Sequence, residues 1–110
     1  MLRNALTSTN HQYSIRLPLR VSVEVSKRGR FLGRYFTRDM DAESVFIETR
    51  MANLNANDVV ELTFIFPGAE NRDRTLLAVV ARIGVEGAGL ILIDPEHKAL
   101  DILGAAEYPQ

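Results

Sequence analysis

Short segments with the alternation of a β-strand, separated by turn residues, are the feature that most limits how this 110-residue chain can fold. Val21, Val23 and Val25 alternate with polar residues, which is the two-residue period of a strand with one buried face. A turn containing Gly29 follows. Further strand-like segments lie at residues 30–37, 44–49, 59–66, 76–85 and 90–93. About six strands joined by hairpin-like connections predict an all-β fold, a small antiparallel barrel.

One short helix is predicted near the C-terminal end of the sequence. Asp94 can cap its N-terminus, and Pro95 suits the first helical position because an N–H there would have no partner inside the helix. An apolar stripe follows at Ala99, Leu100 and Leu103. Gly104 is a typical helix stop. Polar loops or turns are expected at residues 39–43, 51–57, 67–73 and 86–89.

Alternation in residues 30–37 sorts the side chains of that segment between two faces. One face receives Phe31, Tyr35 and Thr37. The other receives Arg30, Leu32, Arg34, Phe36 and Arg38. The aromatic residues predicted for the barrel core are Phe31, Tyr35, Phe64 and Phe66. Leu32 and Phe36 either cover the outside of the barrel against the helix or form a dimer contact, so a monomer and a homodimer are both compatible with the pattern.

Charge is strongly separated along the chain, although the net charge of the whole chain is only −1. Up to Arg38 there are eight Lys and Arg residues against one acid, a net of +7, whereas residues 39–110 carry five bases and thirteen acids, a net of −8. A basic segment on an acidic domain favours an anionic ligand. The arginines on one strand face could extend an anion-binding surface, but the pattern favours a solvent face paired across strands with acids such as Glu24 or Glu48.

Size and composition indicate a single globular domain, with residues 1–14 as a flexible arm and residues 15–110 as the folded part. The sequence contains no cysteine, so disulfides, thiolate metal sites and cysteine nucleophiles are excluded. It also shows no signal-peptide or membrane-spanning pattern. We therefore expect a cytoplasmic protein without membrane insertion.

Two short motifs carry a resemblance to a known family. The first motif is Arg16-Leu-Pro-Leu-Arg20, an RxxxR arm ahead of the first strand. The second motif, residues 39–44, precedes a short strand ending in FIET, and the final hairpin reads GAGLILID. From Arg16 to Leu103 this order of features resembles a PilZ domain. The resemblance implies a six-stranded antiparallel PilZ-like barrel with one short C-terminal helix, which binds cyclic di-GMP and passes the signal to a protein partner.

The family pattern assigns the ligand to both motifs, and the matching positions here are Arg16, Arg20, Asp39, Asp41 and Ser44. Guanidinium groups suit cyclic di-GMP because they bind phosphate oxygens or the guanine O6/N7 edge and stack on purines. In an extended arm the two arginine α-carbons lie about 13 Å apart and point the same way. A second register, with Gln12 and Arg16 as the motif pair, is equally compatible with the arm length.

The second motif departs from the family pattern [DN]xSxxG. Asp39 occupies the Asp/Asn position, but Asp41 replaces the serine and Ser44 replaces the glycine. An added carboxylate repels a twice-negative ligand, at a cost of about 1–3 kcal/mol at surface-like dielectric. The alternatives for Asp39 and Asp41 are a cation site, or a polar turn ion-paired to Arg16 or Arg20 that shields the site in the free protein.

Besides a purely structural oligomer built on the face of Leu32 and Phe36, three function classes remain compatible with the sequence. The first is a non-catalytic PilZ-like signalling domain in bacterial motility, pilus or polysaccharide control, with cyclic di-GMP as ligand and no cofactor. The second is a ligand-free protein adaptor on the same fold. The third is a small nucleic-acid-binding barrel, against which the acidic remainder and a pI near 6.1 argue. No catalytic motif is present, and His11 and His97 lack metal-ligand spacing.

Overall fold

The computed structural model describes residues 16–49, 53–66, 74–93 and 98–107. These ranges contain seven strands and one helix: β1 Leu17–Pro18, β2 Ser22–Lys27, β3 Arg30–Met40, β4 Ser44–Glu48, β5 Val59–Ile65, β6 Arg74–Ile83, β7 Ala88–Ile93 and α1 Lys98–Glu107. The predicted arm at residues 1–14, the loop at 67–73 and the helix cap at Asp94 and Pro95 lie outside the described residues, as do His11 and His97. The assignment of residues 15–110 to one domain stays a prediction.

The strands form one closed antiparallel barrel. Neighbouring strands follow the order β3-β2-β5-β6-β7-β4, and the pairing of β3 with β4 closes the ring. β1 is a two-residue addition that pairs with the end of β3, with Leu17 opposite Met40. Closure leaves six barrel strands without a free edge. The predicted all-β barrel with six main strands and one C-terminal helix is therefore confirmed.

Alternation along the paired strands separates a buried core from an exposed outer surface. One inward row crosses four strands through the pairs Met40–Val45, Val45–Leu90 and Leu90–Val80, and all four side chains are buried. Helix α1 contacts β6, and its buried side chains are Ala99, Ile102 and Leu103. The predicted stripe was thus partly wrong, since Leu100 is only half-buried. Among the described residues no helix is long and apolar enough to cross a membrane.

A bulge in the β2–β3 hairpin corrects the predicted faces of β3. Arg28 and Gly29 both have positive φ, as expected for a two-residue hairpin turn. Val25 pairs with Gly33 and Ser26 pairs with Phe31, so Leu32 is the extra residue of the bulge. The extra residue resets the alternation. Phe31 is consequently 59% exposed rather than part of the core, whereas Leu32 packs against the core instead of sharing the outer arginine face.

Three predicted boundaries were also wrong. β3 continues through Asp39 to Met40, so the predicted polar break at residues 39–43 is shorter and starts at Asp41. The last strand already begins at Ala88, inside the predicted turn. Helix α1 continues through Gly104 to Glu107, so Gly104 is not its stop. In each case strand pairing or helix propagation overrode a local sequence preference.

Candidate functional site

A buried threonine holds the first motif against β3. The Thr37 hydroxyl donates a hydrogen bond to the Leu19 carbonyl oxygen, and it accepts one from the Val21 N–H at 3.0 Å. The Leu19 N–H in turn donates to the Arg38 carbonyl oxygen at 3.1 Å. Because Thr37 is fully buried, these bonds are shielded from water. The arm from residue 17 to residue 21 is therefore fixed along the end of β3.

Arg16 joins the two motifs. Its Nε and Nη2 atoms donate to Asp39 Oδ1 at 2.8 and 2.6 Å. Its Nη1 atom donates to Asp41 Oδ2 at 3.1 Å and also to the Ser44 hydroxyl. Four of the five predicted site residues, Arg16, Asp39, Asp41 and Ser44, thus converge on one point of the barrel surface. The predicted pairing of the acidic turn with Arg16 is present.

Asp41 also has a structural role in its turn. Its Oδ1 atom accepts hydrogen bonds from the backbone N–H groups of Glu43 and Ser44, both at 2.8 Å. Such a side-chain-to-backbone pattern closes a tight turn in the same way as a backbone bond. The carboxylate that replaces the family serine is therefore held in place by two backbone groups and by Arg16.

The electrostatics of Asp39 follow from its two arginine neighbours. Partial burial raises the pKa of the Asp39 carboxyl, but hydrogen bonds and charge from Arg16 and Arg38 outweigh this effect. The net result is that the pKa of Asp39 lies below its ordinary value. Arg38 contributes through its Nε atom, which donates to Asp39 Oδ2 at 3.1 Å. Asp39 is thus held as a carboxylate at neutral pH.

Arg20, the fifth predicted residue, lies elsewhere. Its Nη1 atom donates to Glu48 at 3.0 Å, and its guanidinium stacks over the Phe36 ring with 4.2 Å to the centroid. Glu48 and Ser44 are the two ends of β4, about 13 Å apart in an extended strand. The structure therefore does not bring Arg20 to the point where Arg16 meets the second motif. The stack also explains the exposed Phe36, for which the sequence favoured a helix or dimer contact.

A cleft beside Arg16 adds residues that lie outside both motifs. We call it the arginine cleft; it has a volume of about 410 Å³ and is lined by Arg16, Arg38, Asp39, Ser44, Val45, Phe46, Ala81, Arg82, Gly89, Leu90 and Ile91. Its floor is one outward row in which Asp39 pairs with Phe46, Phe46 with Gly89, and Gly89 with Arg82. Three arginines thus surround an opening whose floor contains a glycine. This geometry suits a phosphate-bearing ligand.

Sequence reasoning missed most of these additional residues. Arg38 was assigned to the outer face of β3, and it does lie there, with its guanidinium 3.8 Å from the centroid of the Phe46 ring. Arg82 and Gly89 were not singled out, because they are adjacent only through strand pairing. The predicted cross-strand pairing of the arginine face is present at Arg34, which binds Glu24 at 3.1 Å.

A wider depression of about 1000 Å³ lies next to the arginine cleft and is lined by Arg38, Glu48, Gly84, Val85 and Glu86. Among the described residues its charged groups are one arginine and two carboxylates, and these carboxylates are paired to Arg20 and Arg38. The described lining has no excess of positive charge, which makes this larger space the poorer anion site. Among the residues that the structure describes, no cluster of three or more acidic or histidine side chains could hold a metal ion. The proposed cation position between Asp39 and Asp41 is taken by Arg16.

Comparison with known proteins identifies the fold. The sequence matches no protein-family profile, and it matches no curated protein. The solved structures that are similar to the chain include the following two. The PilZ domain of CeSA from a cellulose-synthesizing bacterium has a TM-score of 0.63 at 19% identity, over 86% of this chain and 96% of the other. The Bacillus subtilis inhibitor of motility MotI/DgrA has a TM-score of 0.67 at 16% identity, over 84% of this chain.

This chain covers about half of MotI/DgrA, 48% of its length, and nearly all of the CeSA domain. Both similarities lie in the structure of the barrel and not in the sequence, because the sequence identity is below 20% in each case. The closed barrel of six main strands and the C-terminal helix agree with the expectation drawn from the two motifs. The chain has a PilZ-like fold.

Proposed function

We propose that this chain is a non-catalytic signalling domain that binds cyclic di-GMP and acts through contacts with a protein partner in the bacterial cytoplasm. The observation that carries the proposal is the convergence of Arg16 with Asp39, Asp41 and Ser44 at the edge of the arginine cleft. Control of motility or polysaccharide synthesis fits the names of the two similar structures, an inhibitor of motility and a domain from a cellulose-synthesizing bacterium.

The chemistry of the converging groups matches both parts of the ligand. An arginine fork donates two parallel hydrogen bonds to a phosphate or to the O6/N7 edge of guanine. The Asp39 carboxylate accepts hydrogen bonds from the N–H groups of guanine, and its lowered pKa keeps it ionised for that task. One edge of the cleft therefore carries a phosphate donor and a base acceptor within a single hydrogen-bonded cluster.

Affinity is expected to be moderate because Arg16 already has partners. In the free protein its guanidinium is shared by two carboxylates, so a nucleotide has to compete with both. Asp41 also places a negative charge beside the phosphates, which costs about 1–3 kcal/mol at surface-like dielectric. That cost corresponds to roughly tenfold or more in the dissociation constant.

The same contacts favour a second candidate function, a protein adaptor without a nucleotide ligand. Arg16 and Arg20 are both ion-paired within the barrel, to Asp39 and Asp41 and to Glu48. In that case the first motif is a structural clasp that fixes the arm, and the outer surface of the barrel binds a protein constitutively. Protein contacts are the output in both candidates, and only the nucleotide distinguishes them.

Calorimetric titration with cyclic di-GMP, with cyclic di-AMP as the control nucleotide, decides between them. The receptor proposal requires guanine-selective binding in the micromolar range that is lost in Arg16→Ala. Arg34→Ala is the matched control variant, because Arg34 is also a surface arginine with an ion-pair partner, Glu24, and does not line the arginine cleft. No detectable binding heat with the wild type up to hundreds of micromolar cyclic di-GMP would overturn the receptor proposal in favour of the adaptor.

A further inference from the structure

We propose that Arg82, which lies on β6 outside both motifs, supplies the main compensating charge for a doubly anionic phosphate ligand in the arginine cleft. Gly89 leaves the space in which that ligand lies beside Arg82. This inference deepens the proposed function and rests on it for the identity of the nucleotide. Arg82 belongs to neither motif, so the sequence pattern does not predict its contribution to anion binding.

A bulge in β6 is what brings Arg82 to the outer surface. Ala78 and Val80 are buried, so regular alternation would direct Arg82 into the core as well. The pairing of β6 with β7 shifts after Val80, leaving Ala81 as the extra residue and Arg82 opposite Gly89. The shift moves Arg82 to the exposed side, in the same row as Phe46 and Asp39. The backbone bulge at Ala81 therefore determines the position of Arg82 in the cleft.

The three arginines of the cleft differ in how far their charge is already compensated. Arg16 is paired with two carboxylates, Asp39 and Asp41. Arg38 is paired with Asp39 and with Glu86. Arg82 has no carboxylate within ion-pairing distance among the described residues, although it lines the same cleft. A phosphate that enters the cleft meets one uncompensated guanidinium, and it belongs to Arg82.

Gly89 determines how closely a ligand can approach this guanidinium. A Cβ atom built on Gly89 would have one neighbour within 4 Å, the Cγ atom of Arg82 at 3.7 Å, which is ordinary contact. The backbone at Gly89 is therefore not strained for other residues, and Gly89 is the residue without a side chain between Phe46 and Arg82 in the outward row. A side chain at this position changes the cleft without disturbing the β6–β7 pairing.

The test compares Arg82→Gln with Arg34→Gln, and both variants with Gly89→Val. Each protein is titrated with cyclic di-GMP and separately with inorganic pyrophosphate, and binding is followed in 1H–15N spectra and by calorimetry. We expect Arg82→Gln to weaken both probes by about tenfold or more, since a charge-assisted contact to a phosphate is lost. Arg34→Gln is expected to change either affinity by less than about twofold, because Arg34 is paired to Glu24 outside the cleft.

Gly89→Val should weaken both probes by about tenfold or more through loss of space, with spectral changes confined to residues around position 89 and an unchanged melting temperature showing that the barrel is intact. If the wild type binds cyclic di-GMP and Arg82→Gln binds it equally well, the role of Arg82 is overturned while the proposed function stands. If the wild type binds only pyrophosphate, and does so through Arg82, the nucleotide proposal fails and the role of Arg82 stands. If neither probe binds to the wild type, the proposed function and the proposed role of Arg82 are both overturned.

Discussion

The guanidinium of Arg16 lies 2.6 Å from a carboxylate oxygen of Asp39, so the first arginine of the arm is ion-paired to the first residue of the second motif. The arginine side chain is 39% exposed and that of the aspartate 26%, which places the pair at the edge of solvent. A pair in this position stabilises the fold little, and the proposed nucleotide would have to compete with it for Arg16.

Replacement of Arg16 by Ala should raise the pKa of Asp39. In the wild type partial burial pushes this pKa up, but Arg16 and Arg38 pull it below the ordinary value of about 3.9. A carboxyl group whose pKa is lower in the folded state than in the unfolded state stabilises the fold at pH values above about 4. This stabilisation is lost as the pH falls through the folded-state pKa. Carboxyl-carbon NMR titration measures the pKa directly.

The contribution of Arg16 to the free energy of unfolding should depend on pH through the ionisation of Asp39. The difference between wild type and Arg16→Ala is expected to be no more than about 1 kcal/mol at neutral pH and to shrink as the pH falls below about 4. Arg34→Ala serves as the control, because its partner is Glu24 and the pKa of Asp39 should not respond to it. An Asp39 pKa that is equal in wild type and Arg16→Ala would refute the assignment of the pair.

Asp41→Asn should increase the affinity for cyclic di-GMP about tenfold or more. The amide oxygen can still accept the hydrogen bonds from the Glu43 and Ser44 N–H groups, so the turn is retained. The charge that competes for Arg16 is removed. Glu61→Gln, an exposed carboxylate on β5, controls for the change in net charge. Calorimetry showing unchanged or weaker binding in Asp41→Asn would mean that the carboxylate does not limit affinity.

Thr37→Val should destabilise the fold by about 1–3 kcal/mol, because it leaves the Val21 N–H and the Leu19 carbonyl without their buried partner. Valine has nearly the same shape, so packing is preserved. The control is Thr63→Val, since the Thr63 hydroxyl bonds to Thr75 on the exposed surface and its loss should cost less than about 0.5 kcal/mol. Urea unfolding with equal m-values would measure both. Equal stability of the two variants would contradict the buried role of Thr37.

Gly87→Ala should destabilise the barrel by about 2–4 kcal/mol. A Cβ atom there would lie 2.0 Å from the Ile47 carbonyl oxygen, and the residue has a φ of +156°. The adjacent strand cannot retreat without breaking the β4–β7 pairing. Gly84→Ala, in the same hairpin, is the control, because the nearest atom to its Cβ would be 4.0 Å away. Thermal unfolding at similar temperatures for the two variants would disprove this close approach.

The number and type of elements could be predicted from local patterns. Val23 and Val25 alternate with polar residues because one face of β2 packs in the core, and both are fully buried. Gly29 follows Arg28 where the hairpin needs two residues of positive φ. The resemblance to a PilZ domain predicted that both arginines of the first motif lie beside the second motif, and the structure places only Arg16 there. The alternation of β2 and the turn at Arg28 and Gly29 could be predicted because both depend on residues close in sequence.

Bulges and strand register could not be predicted in the same way. The extra residue at Leu32 reversed the expected faces of Phe31 and Leu32, and the one at Ala81 turned Arg82 outward. Each bulge is a property of two paired strands, so no single segment reveals it. The direction of Arg20 towards Glu48 and Phe36 likewise depends on which residues of β3 and β4 lie opposite each other.

By itself the sequence determined the all-β class, the separation of basic and acidic halves and the two motifs, since these follow from side-chain periodicity, charge and local turn preference. The tertiary structure decided which arginines share a site. Arg16, Arg38 and Arg82 come from the arm, β3 and β6, and they line one cleft because β4 and β7 join β3 to β6 across the closed barrel and because register shifts occur at Arg38 and Ala81. The physical reason is that hydrogen-bonded strand pairing sets distances between residues that are remote along the chain.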